Sequence, residues 1–315
     1  MTSKYLKIMT YNVNGLPGTI DLSTLPWVLR PLAWLYRLFK KSYVVSLGGT
    51  QEGNIERAKK ISHYLDVSDA DIIAVQEDFN YHSELCSRLG GYGTGCHLGG
   101  FHLPKLFSTT EWWSYFPFPR FKADGLSIFT KSSRVEITNE HIVRWDKSYG
   151  YISHANDLMT HKGFRLYELT VDGDLQIDVY IVHMDADFYD KETCPDVQGD
   201  IIARRTQLTQ LTNFIMDRKD NCNYRPVIIM GDTNCSPNNE WDVENINDYL
   251  LTPFRKYIWT YILEAIPTGF CDVDRLFIIN DIRSKAHVSV SHCGYDTNTK
   301  LSDHKPFSAT LRIDL

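Results

Sequence analysis

The sequence predicts an α/β domain whose strands are covered on both faces. Short apolar runs recur along the chain, and nearly every one ends in a polar or charged residue. The clearest run extends from Pro226 to Met230 and is followed by Gly231, Asp232 and Asn234. A sheet with one face in solvent would alternate apolar and polar residues, whereas these runs are continuous. Asp232 and Asn234 lie two positions apart and would point the same way beyond the strand, although Asp and Asn are also common in turns.

Strands and helices can be assigned in order from this pattern. The strand-like segments are residues 5–13, 71–77, 124–131, 163–170, 176–183, 227–230, 272–279 and 301–312. Helical segments are predicted over residues 54–66, which are amphipathic, and over residues 198–219, which are rich in Arg and Gln. Asp172 and Gly173 predict a tight turn between two neighbouring strands.

Two inserts interrupt the pattern near residues 22–47 and 92–123. The first carries Trp and basic residues on an amphipathic helix that begins near Pro31, and Arg30 and Pro31 make it too short to span a bilayer. The helix could lie on a membrane surface or pack on the protein's own core. The second insert is rich in aromatic residues and Pro, which argues against disorder and leaves substrate contact, membrane contact and self-packing open.

Composition is that of an ordinary globular protein. The 315 residues are 43% hydrophobic and 23% charged, without a linker or repeat, so we expect a single domain over residues 1–315. The formal net charge of −6 weighs against a protein that holds nucleic acid mainly through phosphate contacts. The seven cysteines form no C-x-x-C pair, so neither a disulfide framework nor a structural zinc site is expected.

The N-terminus runs directly into a strand pattern without an apolar signal segment. A cytoplasmic protein, or one peripheral on a membrane, is therefore expected, and secretion after processing stays open. No transmembrane segment is predicted. We expect the chain to be a monomer.

The strand ends collect one set of polar residues: Asn12, Glu77, His183, Asp232, Asn234, Asp274, Asp303 and His304. Carboxylates without clustered cysteines favour a hard cation such as Mg²⁺. Histidines with spare carboxylates can polarise and protonate a phosphoryl group. No G-x-S-x-G motif points to a serine nucleophile. The set therefore predicts metal-assisted hydrolysis of a phosphate ester, provided that the fold brings these residues together.

Five short motifs, in this order, resemble those of the endonuclease/exonuclease/phosphatase superfamily. They are Thr10-Tyr-Asn12, Val75-Gln-Glu77, His183, Gly231-Asp-Thr-Asn234 and Ser302-Asp-His304. Each motif alone is weak evidence for the superfamily. Together they occur in the expected order, and the similarity extends over nearly the whole chain apart from the inserts. The resemblance implies a four-layered sandwich in which two mixed β-sheets pack together with helices outside.

The resemblance also implies a metal site. Glu77 would be the main ligand for Mg²⁺, with Mn²⁺ as a substitute, and Asn12 would lie beside it. Asp303 would accompany the metal or His304.

The remaining residues would carry the chemistry in the resemblance. Asp232 would orient or deprotonate the attacking water, and Asn234 would hold a phosphate oxygen. His304, oriented by Asp274, and His183 would contact the phosphate. Water would then attack phosphorus in line.

The segments at Asp124–Lys131 and His161–Leu169 are similar to stretches of neutral sphingomyelinases. Aromatic residues in the inserts would suit an enzyme on a lipid surface. We therefore expect phospholipase C-type cleavage of sphingomyelin or a related phospholipid, with nucleic acid a less favoured substrate. An inositol-phosphate or phosphoinositide phosphatase, a DNase I-like or abasic-site nuclease and, more distantly, a non-catalytic binding protein on this fold are the alternatives.

Overall fold

The computed structural model describes residues 3–15, 51–79, 81–98, 101–102, 120–121, 124–149, 161–186, 198–221, 224–256, 260–264 and 273–315. The strands are β1 (Ser3–Asn12), β2 (Ile72–Gln76), β3 (Tyr92–Thr94), β4 (Phe101–His102), β5 (Arg120–Phe121), β6 (Ser127–Lys131), β7 (Val135–Arg144), β8 (Gly163–Val171), β9 (Leu175–His183), β10 (Val227–Asp232), β11 (Thr260–Glu264), β12 (Asp274–Asp281), β13 (His287–Tyr295) and β14 (Phe307–Asp314). The α-helices are α1 (Gln51–Val67), α2 (His82–Leu85), α3 (Gln198–Asp220), α4 (Glu240–Ile246) and α5 (Thr252–Lys256).

Two six-stranded mixed sheets form the centre of the molecule. The first has the order β13-β14-β1-β2-β6-β3, and the second has the order β11-β12-β10-β9-β8-β7. Within them, β1 and β2 run parallel, as do β9 and β10. The short strands β4 and β5 pair separately. The predicted α/β architecture with two mixed sheets is confirmed.

Consecutive residues of the central strands pack into different cores. Ile8 of β1 lies in the core between the sheets, whereas Met9 faces the core under α1. Ile228 of β10 likewise lies between the sheets, and Ile229 packs in the core under α3. Both faces of these strands are covered, which explains their continuous apolar runs. The layers are therefore α1, the first sheet, the second sheet and α3.

Strands β7 and β13 are absent from the sequence-based assignment. Both lie at sheet edges and consist mostly of half-buried and exposed residues, so neither contains a long apolar run. The predicted last strand also begins too early. It starts at Phe307 and not near Leu301, because residues 301–306 form the loop that carries His304.

The insert at 22–47 and most of the insert at 92–123 lie outside the described residues, so their expected roles stay predictions. In the part of the chain that the structure describes, no helix has the length and apolarity needed to cross a bilayer.

Candidate active site

Three predicted site residues lie at the ends of neighbouring strands in the second sheet. His183 and Asp232 end the parallel strands β9 and β10 and are paired in register. Asp274 begins β12, which runs antiparallel to β10, and it is the register partner of Asp232 on the other side. The carboxyl ends of parallel strands lie at the same end of a sheet, and the amino end of an antiparallel neighbour lies there too. The topology therefore brings together residues that are far apart in sequence.

The first sheet contributes Asn12, Glu77 and His304 at the same end. Asn12 ends β1, and Glu77 follows the parallel strand β2. His304 precedes β14, which is antiparallel to β1. The Ser302 hydroxyl donates to the backbone oxygen of Asn12 over 2.7 Å, which ties the His304 loop to β1.

Backbone constraints hold the two acidic segments. Gly231 has φ +139°, and a Cβ there would lie 2.3 Å from the backbone oxygen of Val182 in the neighbouring strand. Glu77 and Asn234 adopt left-handed backbone conformations with φ of 61° and 49°. Non-glycine residues rarely adopt such angles, and they concentrate at functional sites.

Asn12 lies between the two central carboxylates. Its side-chain nitrogen donates to Asp232 Oδ2 over 2.9 Å and to Glu77 Oε1 over 3.2 Å. Its side-chain oxygen accepts the Asn14 backbone N–H over 3.0 Å. In this arrangement Asn12 is a donor that positions both carboxylates, and it could bind a metal only through the oxygen held by Asn14.

His304 and Asp274 form a tight ion pair. His304 Nδ1 lies 2.7 Å from Asp274 Oδ2, and His304 Nε2 lies 3.8 Å from Asp232 Oδ2. Burial opposes the charged imidazole, but Asp274 and Asp232 raise the pKa of His304 to about 11. Burial likewise opposes ionisation of Asp232, yet His304 and His183 lower its pKa below the ordinary value. At neutral pH the site therefore contains an imidazolium beside a carboxylate.

His183 is buried and has the opposite electrostatics. Its Nε2 atom lies 3.7 Å from Asp232 Oδ2 and 3.9 Å from Glu77 Oε1. Burial, reinforced by the positive charge of Lys162, lowers the pKa of His183 well below its ordinary value. The two histidines thus differ at neutral pH, since His183 is neutral and His304 is charged.

The sequence analysis did not assign Lys162 or Trp145 to the site. Lys162 is buried and donates to the backbone oxygen of Met184 over 3.1 Å, while Trp145 donates to the backbone oxygen of His183 over 2.8 Å. The charge of Lys162 lowers the pKa of Glu77, which burial raises overall. The Lys-Gly pair at the start of β8 was the available sequence signal for Lys162.

Asn234 and Asp303 lie around this centre. The Asn234 amide donates to the backbone oxygen of Met184 over 2.9 Å, and its backbone N–H donates to Asp232 Oδ1 over 2.9 Å. Asp303 is exposed, and its Oδ1 lies 3.1 Å from the Ser302 hydroxyl oxygen. Its charge makes a small contribution to the raised pKa of His304.

A family model for the Endonuclease/Exonuclease/phosphatase family matches residues 9–314. The chain belongs to this family. A sequence comparison with curated proteins finds no match.

Solved structures with this fold share little sequence with the chain. Sphingomyelinase C from Streptomyces griseocarneus is 15% identical, with a TM-score of 0.58 over 98% of this chain and 99% of that one. A Staphylococcus aureus beta toxin mutant with bound magnesium ions is 17% identical, with a TM-score of 0.58 over 97% and 99%. D. rerio TDP2 with a single-strand DNA product is 16% identical, with a TM-score of 0.54 over 98% of each chain.

The donor set at the centre of this family member fits a hard divalent cation. Glu77 offers a carboxylate, and burial together with the negative charge of Asp232 keeps its pKa raised. A bound cation would offset both effects. Asp232, Asp274 and His304 also bring potential ligand atoms within 4.8 Å of one another, although Asp274 is already held by His304. Glu77 and Asp232 accept from the same Asn12 side-chain nitrogen, and their carboxylates could hold a divalent cation.

Proposed function

We propose that this family member is a metal-dependent phosphodiesterase in which water attacks phosphorus in line. The observation that supports the proposal is the placement of a carboxylate, an imidazolium and a neutral imidazole around one point. Asp232 lies 3.8 Å from His304 Nε2 and 3.7 Å from His183 Nε2. These are the groups needed to take a proton from water and to stabilise a phosphorane-like charge.

Each residue has one role in the proposal. Asp232 accepts hydrogen bonds from Asn12 and Asn234, which leaves it oriented to hold the attacking water and take its proton. The imidazolium of His304, held by Asp274, donates from Nε2 to a phosphoryl oxygen. His183 contacts a second phosphoryl oxygen. Mg²⁺ or Mn²⁺ held by Glu77 would supply charge neutralisation at phosphorus.

A sphingomyelin-type phospholipid is the substrate that we propose. The support is the similarity of the segments around Asp124 and Lys162 to neutral sphingomyelinases, and the net charge of −6, which suits a zwitterionic head group better than a polyanion. The proposal places the enzyme at a membrane surface, where the aromatic inserts would make contact.

The test compares product release from three substrates in the presence of Mg²⁺: sphingomyelin vesicles, phosphoinositide vesicles and single-stranded DNA. We expect phosphocholine release by the wild type and a fall of about 10²–10³-fold in His304→Ala, since the imidazolium that stabilises charge on the phosphoryl oxygen is lost. His292→Ala, an exposed residue on β13, is the matched control and should retain full activity.

If sphingomyelin is not cleaved, phosphate release from phosphoinositide or cleavage of DNA would show that the proposed substrate is wrong. The proposed mechanism would stand. Equal activity of His304→Ala and the wild type on the substrate that is cleaved would overturn the mechanism.

A further inference from the structure

A second cluster of histidines and a carboxylate lies outside the candidate active site. His82 Nδ1 is 2.5 Å from Asp78 Oδ2, and His97 Nδ1 is 3.7 Å from the same oxygen. One potential ligand atom from each residue lies within 4.8 Å of the others. The two imidazole rings stack almost parallel with their centroids 3.7 Å apart. Because a bound ion lies in the plane of each imidazole ligand, one ring would turn when both bind the same ion. None of these residues belongs to the proposed phosphodiesterase machinery.

The local fold builds this cluster on a rigid support. Asp78 is buried, accepts the Ser127 hydroxyl over 2.6 Å and donates its backbone N–H to Gly125 over 3.0 Å. His82 begins α2 four residues later. His97 comes from the segment that follows β3 and lies across from His82. The side chains of His82 and His97 are about one-fifth exposed, which leaves a route for a small ion.

The outer nitrogen of His82 is also held. His82 Nε2 lies 3.3 Å from Cys86 Sγ, one further helical turn along the chain. A histidine that ligates a metal through one nitrogen commonly donates its other ring N–H to a nearby acceptor, which fixes the tautomer and the ring orientation. Cys86 can be that acceptor, with Nδ1 of His82 then facing the ion.

We propose that Asp78, His82 and His97 form a site for a divalent transition-metal ion of the zinc type. Zinc-type ions bind two imidazoles and one carboxylate more readily than Mg²⁺ does. These three ligands leave a fourth coordination position for water. The ion would replace the proton between Asp78 and His82. Cysteine spacing could not reveal this site because its ligands are nitrogen and oxygen atoms.

The site has a structural role that follows from its position. Asp78 is the chain neighbour of Glu77, but its carboxylate contacts His82 and Ser127, whereas that of Glu77 contacts Asn12. An ion bound to Asp78 would therefore restrict the backbone next to Glu77 and help to orient the Glu77 side chain in the candidate active site. The proposal does not depend on the phosphodiesterase reaction, because metal binding is measured directly.

The test uses the full chain stripped with a chelator and titrated with Co²⁺ in excess Mg²⁺, with visible absorption as the readout and Zn²⁺ as the competitor. We expect the wild type to show a cobalt spectrum that Zn²⁺ abolishes. Affinity should fall at least about 100-fold in His97→Ala and in His82→Gln, since each loses a direct ligand. Glu77→Gln should retain the site, and His292→Ala is the matched control.

A wild type that binds Co²⁺ and Zn²⁺ no more tightly than His97→Ala and His82→Gln would overturn the proposal. Binding lost in Glu77→Gln but kept in both histidine variants would move the ion to the candidate active site. Cys86→Ser tests whether Cys86 binds the ion itself or only positions His82. Retained binding supports the assigned set, whereas a sulfur-to-cobalt charge-transfer band that disappears in this variant would overturn it.

Unfolding midpoints in chelator show whether each variant is folded. His82→Gln keeps a hydrogen-bonding side chain next to Asp78, so it tests the site even if His97→Ala fails to fold. Addition of Zn²⁺ should raise the unfolding midpoint of the wild type and of Glu77→Gln, and it should leave that of His82→Gln unchanged.

Discussion

The protein contains two histidine–aspartate pairs of nearly equal geometry in different surroundings. Nδ1 of His304 lies 2.7 Å from Asp274, and Nδ1 of His82 lies 2.5 Å from Asp78. The carboxylates raise the pKa of His304 to about 11 and contribute to raising that of His82 to about 10, against the opposing effect of burial in both cases. The pair itself therefore does not define a function.

The outer nitrogen distinguishes the pairs. Nε2 of His304 lies 3.8 Å from the buried carboxylate of Asp232, across the edge where the two sheets meet. Nε2 of His82 lies 3.3 Å from the thiol of Cys86, which directly follows α2. An imidazolium next to a second carboxylate can act on a substrate held there, whereas one whose second nitrogen faces a thiol can stabilise structure or exchange its proton for an ion.

The largest expected effect is on the first pair. Asp274→Asn should lower kcat/KM for the cleaved phosphodiester about 10²–10³-fold, because His304 loses the charge that keeps it protonated and oriented. The alkaline limb of the pH profile should also move to lower pH, since the pKa of His304 falls from about 11 toward its ordinary value. Asp314→Asn, at the far end of β14, is the control.

An Asp274→Asn enzyme with the wild-type pH profile would show that Asp274 does not keep His304 protonated for catalysis. Measurement of kcat/KM across the alkaline range decides the point.

A smaller effect is expected on stability from the second pair. In chelator, His82→Gln should lower the free energy of unfolding by about 1.5–3 kcal/mol near neutral pH, the usual range for a hydrogen bond to a charged group. The pKa of His82 is raised, so this stabilisation is complete below its ordinary pKa of 6.5 and is lost as pH rises through about 10. Urea unfolding of both proteins across that range measures it.

A wild-type to His82→Gln difference that grows between neutral pH and pH 10 would have the wrong sign for a protonated His82. His141→Gln, a more exposed histidine on β7, provides the comparison.

The smallest effect is expected from an ion cluster that resembles neither pair. Glu168 is bound by Arg225 and Arg218, and although burial opposes its ionisation, these two guanidinium groups lower its pKa to about 2. Glu168→Gln should cost about 1 kcal/mol at neutral pH, because Asp178 still contacts both arginines and part of the cluster is in solvent.

This deficit should vanish as pH falls from about 4.5 to about 2, since the stabilising charge of Glu168 is lost over that interval. Phosphodiesterase activity and zinc binding should not change. An effect of Glu168→Gln on either one would show that charge loss alone disturbs the two sites.

The sequence by itself determined which segments become central strands. The apolar runs around Ile73, Ile181 and Ile229 are continuous because both faces of these strands are buried, so the pattern predicted them directly. The order of the five motifs also determined the family. Edge strands such as β7 and β13 escaped prediction because a half-exposed strand carries a weaker apolar signal.

Tertiary structure alone decided which polar residues meet. The family resemblance paired Asp274 with His304, but it did not show which ring nitrogen Asp274 holds, because strand order sets that contact. The sequence also could not show Lys162 acting on Glu77 and His183, or His97 stacking on His82. Local periodicity describes which face a residue takes within its own element, whereas contacts between elements depend on how the sheets pair and pack.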